Sequence, residues 1–376
     1  MKNAFILLLV LLPLLQACNL GQDKVQPKQE QAIAEEESSS VEVISATEWQ
    51  SRFASIAVED GILQFESSAE FHTLLEQFSL LSEEEQSRVI QRSDFTSYRV
   101  KYAEVISSLK KATDEQTVRS ILVQHPHIVK VVDETIRPTL GDINRNINMM
   151  LNEKGFVNIG GIMHLYNEAG TFASKTADVS SIERAALSQS ATPEVETYLH
   201  PEPIASGTRA SCNSFTDRDV EVTTAPNPDF KVYFRIFAKA FSTWNGNSWT
   251  VKPQVVFAGY SYERLPSWSY GFPGYGGYSP SWIEYSAVHH KEYSLTAKVL
   301  RRPIDGGKWA SFWHKTTAGP SIESFTIFSV GNQVSGVATS DLPLFIPTVE
   351  YSNSLHSHTG MDTGYGLTWA TISCAN

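Results

Sequence analysis

A chain of 376 residues with 41% hydrophobic side chains can bury more than one core, so it is not a short peptide that needs many disulfides to fold. Its net charge of −11 is carried by residues 1–207, which hold 17 Lys/Arg against 29 Asp/Glu, while residues 208–376 hold 13 against 12. Neither half carries the basic stripe that nucleic-acid binding requires, and the imbalance marks two compositionally different regions.

In chain order, Lys2 precedes an apolar run from Phe5 to Leu15. The run is far shorter than the roughly 20 apolar residues that span a bilayer and has the length of a secretory signal, giving a signal peptide over 1–17. It ends in "LQAC", Leu15 to Cys18, which resembles the lipobox of bacterial lipoproteins, with an apolar residue three before the cysteine and the small Ala17 just before it. Gln16 departs from that pattern, where a small residue is usual. The resemblance implies cleavage before Cys18 and acylation of Cys18, hence a membrane partner through fatty acyl chains. Each buried methylene adds about 0.8 kcal/mol, so two or more chains hold firmly where one is marginal. Asn19 follows the lipid cysteine in place of the Asp that favours inner-membrane retention, which points to an outer-membrane protein at the periplasmic face or the cell surface.

Residues 18–46 are rich in Gln, Glu and Ser, with no aromatic before Trp49, and read as a disordered tether. Residues 47–190 read as a mostly helical domain with short strands. "SSAEFHTLLEQFSLL" carries Phe71, Leu74, Leu75 and Phe78 at helical spacing behind a Ser67–Glu70 capping box. Ser82–Glu85 and Thr113–Gln116 repeat that signal, and the second helix stops near Pro126. "YRVKYAEVISSL" places Tyr98, Tyr102, Val105, Ile106 and Leu109 on one face. "DGILQFES" reads as a short strand, and "GFVNIGGIMHLY" as a hairpin turning at Gly160–Gly161.

"DGILQFESSAEFHTLLEQF" with "LNEKGFVNIGGIMHLYN" resembles a Bacteroidota lipoprotein family of unknown function, over about residues 60–170. Asn152, Gly155, Ile159 and Gly160 match its Asn–x–x–Gly and hairpin pattern, and Gly161 stands where that family often has Asp. The resemblance implies a compartment and a domain style, with no catalytic residues to carry over.

Residues 191–211 contain three prolines and a glycine and read as a linker. Residues 212–376 alternate over several runs separated by Gly, Pro and Asn, beginning with "KVYFRIFAKAFSTW", a turn at Asn245–Asn247, and "SWTVKPQVVFAGYSY". This reads as an all-β, sandwich-like domain, making the whole an α+β multidomain chain. With Cys18 given to lipid, Cys212 and Cys374 form an even pair bracketing that domain, the expected disulfide in an oxidising compartment.

The densest local feature is Tyr260–Ser286, where Gly and Pro separate nine aromatics. Tyr262, Trp268, Tyr270, Tyr275, Tyr278 and Trp282 are its candidate ligand-binding residues, because rigid rings with polar edges suit stacking on a glycan or a protein. The opposing reading is a loop that packs on itself. Glu263 and Glu284 flank the segment and offer a glycosidase pair as the alternative function, and an envelope structural protein is a third. His356 and His358 with Asp362 could share a strand face as metal ligands but read as a polar loop, and neither a metal nor a cofactor is expected. Nucleophile-elbow, zinc-protease, P-loop and dinucleotide motifs are absent, so no catalytic residue is assigned. The sequence therefore leads to a non-enzymatic binding module.

Overall fold

The computed structural model describes residues 44–81, 83–132, 134–141, 146–176, 178–200, 217–223, 229–265, 282–284, 288–301, 310–321, 325–329, 334–340, 345–350, 355–362 and 367–374. All belong to one unit, Val43–Asn376.

The first described residues already pack. Ile44 is buried, and the Ser45 side chain accepts from Glu48 N to start α1 (Ala46–Ser55), which buries Trp49 and Phe53. Ile44 and Ala46, expected to belong to the tether over 18–46, are packed instead, because they supply apolar contacts to the core. Strands β1 (Ala57–Glu59) and β2 (Ile62–Phe65) form a hairpin. Then come α2 (Ser68–Leu80), α3 (Glu83–Val89), α4 (Tyr98–Lys111) and α5 (Glu115–Gln124). Ser67 caps α2 through Glu70 N, and Glu70 reaches back to Glu66 N rather than to Ser67. Ser82 lies outside the described residues. The cap of α5 is Asp114, one residue after the expected Thr113, because its carboxylate accepts from both Thr117 N and Thr117 Oγ1. The face foreseen on α4 is buried at Tyr98, Val105, Ile106 and Leu109.

β3 (Val129–Val132) and β4 (Thr135–Pro138) make a second hairpin, and a short 3₁₀ turn covers Ile147–Met149. β5 (Phe156–Ile159) and β6 (Ile162–Asn167) are joined by Gly160–Gly161, both at positive φ (64° and 75°), the two-residue turn that the right-handed strand twist favours. β7 (Gly170–Ser174), α6 (Val179–Ser188) and β8 (Glu196–Leu199) follow. Their sheet runs β1-β2-β5-β6-β7-β8, with β2 and β5 parallel. Both faces are covered: Leu63, Phe65, Val157 and Ile159 join the helical core, while Ile62, Phe156, Leu165 and Phe172 pack under Ile182, Ala185 and Ala186 of α6. β8 falls inside the expected 191–211 linker; Glu196–Leu199 pairs with β7 because the sheet otherwise ends with β7 unpaired on that side.

The remaining strands are β9 (Asp217–Thr223), β10 (Phe230–Trp244), β11 (Trp249–Arg264), β12 (Trp282–Glu284), β13 (Val288–Arg301), β14 (Ala310–Ser321), β15 (Phe325–Ser329), β16 (Val334–Val337), β17 (Phe345–Glu350), β18 (Leu355–Asp362) and β19 (Leu367–Cys374). β10 and β11 pair along their full length, from Phe230↔Glu263 to Trp244↔Trp249. Asn245 Oδ1 closes their turn by accepting from Asn247 N and Ser248 N. β12, β15 and β16 share the other side of β11; β14 flanks one side of β13, and β17 and β18 share the other. The β4 hairpin joins β12 in parallel through Thr135↔Trp282, so the eight-stranded sheet takes strands from both sides of the expected linker. The molecule is α+β: helices lie against a mixed sheet, and two further sheets complete it.

Candidate functional site

β11 and β12 are the strands that enter and leave the aromatic segment, and their antiparallel register ends on Arg264↔Trp282. One face of three strands carries Lys231, Tyr262 and Glu284 in a row, through Lys231↔Tyr262 and Tyr262↔Glu284. Trp282 and Thr135 occupy the next row on that face.

Lys231 is 3% exposed. Its ammonium lies 4.8 Å from the Trp282 ring centroid and 5.4 Å from that of Tyr262, and it donates to Thr135 Oγ1 at 3.0 Å. Arg264 places its guanidinium 5.0 Å from the same indole and pairs with Asp229 at 3.5 Å. Trp282 N donates to Glu134 O at 3.0 Å, and Arg264 N donates to Asp229 O at 2.7 Å. Both cations are attracted by the negative face of the indole, by about 2 kcal/mol for the buried Lys231 and about 0.5–1 kcal/mol for the partly exposed Arg264. Leu265 and Ile283, next in line, are buried in the helical core.

The two described members of the candidate ligand set, Tyr262 (4% exposed) and Trp282 (9%), are therefore buried. They do not present rings to solvent, because they are faces for Lys231 and Arg264. Trp268, Tyr270, Tyr275 and Tyr278 lie outside the described residues, as do Cys18 and Cys212. Cys374 ends β19 opposite Leu355.

Glu263 and Glu284 alternate along the ladder, Glu263 opposite Ile283 and Glu284 opposite Tyr262, and so project to opposite faces. Each meets a side chain of α4: Glu263 pairs with Lys110 at 3.5 Å, and Glu284 accepts from Tyr102 OH at 2.8 Å. His356, His358 and Asp362 stand on β18 rather than in the expected loop, because Leu355–Asp362 pairs along its whole length with β19, His356 opposite Ser373 and His358 opposite Thr371; His314 stands on β14 opposite Leu295.

The Asn152–Gly155 stretch of the N-terminal region is built for turning. Asn152 Oδ1 accepts from Lys154 N and Phe156 N, and Gly155 N donates to Asn152 O. At Gly155, φ is +91° and a Cβ would stand 2.7 Å from Tyr166 O, so only glycine fits.

Sequence reading passed over Lys231 and His164. Each is a lone polar residue in an alternating apolar run, "DFKVYF" and "GIMHLY", which is the available signal for a buried polar group. His164 is fully buried; its Nε2 accepts from Trp244 N at 3.1 Å, which leaves the proton on Nδ1 to donate to Ile162 O at 2.9 Å. Burial pushes its pKa down to about 4.

No family model matches this chain, and no curated protein matches it. Among solved structures it is similar to the crystal structure of a DUF4848 family protein from Bacteroides thetaiotaomicron VPI-5482, at 12% identity over 84% of this chain and 98% of that chain, with a TM-score of 0.25.

Proposed function

We propose that this chain is an exported, lipid-anchored bacterial lipoprotein whose folded unit is a non-enzymatic binding module, with the segment between β11 and β12 contacting a glycan or a protein. The observation that carries the reading is the base of that segment. Arg264 and Trp282 stand side by side, the Trp282 ring lies within reach of both Arg264 and Lys231, and Leu265 and Ile283 are sunk in the core. A recognition loop works best when a rigid element holds both its ends. The clamp occupies Tyr262 and Trp282, so recognition falls to Trp268, Tyr270, Tyr275 and Tyr278.

Glu263 and Glu284 support the hydrolase alternative poorly, since they project to opposite faces and each engages α4. The lipobox at Cys18 carries the anchor and the outer-membrane location. For the C-terminal strands the proposed arrangement is a sandwich closed by Cys212–Cys374. β9 opens shortly after Cys212, β19 ends at Cys374, and these two strands lie against each other.

The test uses the whole chain after Cys18, because β4 is needed by β12. A printed glycan array and an immobilised envelope-protein extract are probed with wild type and with Trp268→Ala/Tyr275→Ala. Wild-type capture that the double variant loses supports the reading. Equal capture by both, or release of reducing sugar from the glycans by wild type, overturns it.

A further inference from the structure

Both buried histidines among the described residues, His72 and His164, touch consecutive residues at one end of one strand. His164 accepts from Trp244 N, and His72 Nε2 lies 3.4 Å from Thr243 Oγ1. Around them, Ser68 Oγ meets Thr243 Oγ1 at 2.7 Å and Tyr166 OH donates to Ser242 O at 3.0 Å. Ser242, Thr243 and Trp244 are thus tied to α2 and β6 by polar contacts, in a seam where Ser242 and Thr243 are buried.

We propose that His164 is an acid-sensitive latch that releases the Ser242–Trp244 end of β10 from the first sheet before the rest of the unit unfolds, with His72 contacting the same end at Thr243. The chemistry is local. A neutral imidazole can take the Trp244 N–H on Nε2. A protonated one carries a proton on both nitrogens, so two donors face each other across the same gap and a charge is enclosed. On the face of β6 that carries His164, Tyr166 is stacked at 6.1 Å, and β5 and β7 set Val157 and Ala173 opposite it. The carboxylate of that row is Glu196 on β8, one strand beyond Ala173, and it accepts from Thr339 Oγ1. Both ring nitrogens of His164 are instead taken by main-chain groups, Ile162 O and Trp244 N. The lowered proton affinity of His164, caused by burial, agrees with this geometry.

The latch is tested by hydrogen exchange of the whole folded chain, corrected for the intrinsic pH dependence of exchange. Opening of the peptide spanning Ser242–Trp244 should rise about tenfold per pH unit as pH falls from 6.5 towards 4, while α4 stays protected. His164→Gln, whose amide oxygen can accept from Trp244 N without titrating, should flatten that response. Should this variant fold poorly, an NMR titration of the wild-type imidazole gives the second readout, with the Trp244 amide signal moving at the His164 midpoint. Loss of protection at Ser242–Trp244 in step with α4, or a Trp244 amide indifferent to pH, would overturn the proposal.

Discussion

Trp244 donates its main-chain N–H to His164 Nε2 across 3.1 Å, joining the end of β10 to the middle of β6. The bond requires a neutral imidazole. Unfolded, His164 titrates near 6.5; folded, near 4. Between those values the unfolded chain holds a proton that the native chain refuses, so stability is complete above pH 6.5 and is lost as pH falls to 4. The full span is worth about 3 kcal/mol. Urea unfolding at pH 7.5, 5.5 and 4.5 should show a falling midpoint, and His164→Gln should remove most of that slope. An unchanged slope in the variant would assign the acid sensitivity elsewhere.

Arg92 ties the end of α1 to the chain beyond α3. Its guanidinium donates to Phe53 O and Ile56 O, both at 2.6 Å, and lies 5.6 Å from the Phe53 ring. Arg92→Ala should cost about 1.5–3 kcal/mol, and Arg92→Lys should recover little of it, since an ammonium cannot span both carbonyls while stacking. Thermal melts of the two variants check this; full rescue by lysine would show that charge alone matters.

Gly155→Ala combines a positive φ with a Cβ 2.7 Å from Tyr166 O. It should destabilise by about 1–3 kcal/mol, whereas Gly161→Ala, with nothing within 4 Å, should cost less despite its own positive φ. Chemical denaturation of both variants separates clash from backbone strain.

Cys18→Ser should move the protein from the membrane fraction to the soluble fraction of the producing bacterium, with no change in its melting temperature. Retention in the membrane by the serine variant would remove the lipid anchor from the account.

Much of this fold was legible because its signals are local. Gly160–Gly161 marked a hairpin through the positive φ both residues adopt, Asn245–Asn247 marked another through Gly246 at positive φ and the Asn245 side chain, and Phe71, Leu74, Leu75 and Phe78 marked a helix by their spacing. What escaped was non-local. Nothing near Glu196–Leu199, flanked by prolines, announces that β7 lacks a partner on that side. Nothing near Thr135 announces a parallel neighbour at Trp282. The aromatic segment was visible as a composition, but the burial of Tyr262 and Trp282 depends on Lys231, which reaches them only through the β10–β11 register.

The contrast between Trp282 and Trp268 tests the binding account most directly. Trp282 is buried at the clamp, so Trp282→Ala should lower stability by about 3–5 kcal/mol. Trp268→Ala should melt like wild type and lose capture on the glycan array or the envelope extract. A Trp268→Ala protein that keeps wild-type capture, or a wild-type protein captured by neither probe, would contradict the assignment of this segment as a binding surface.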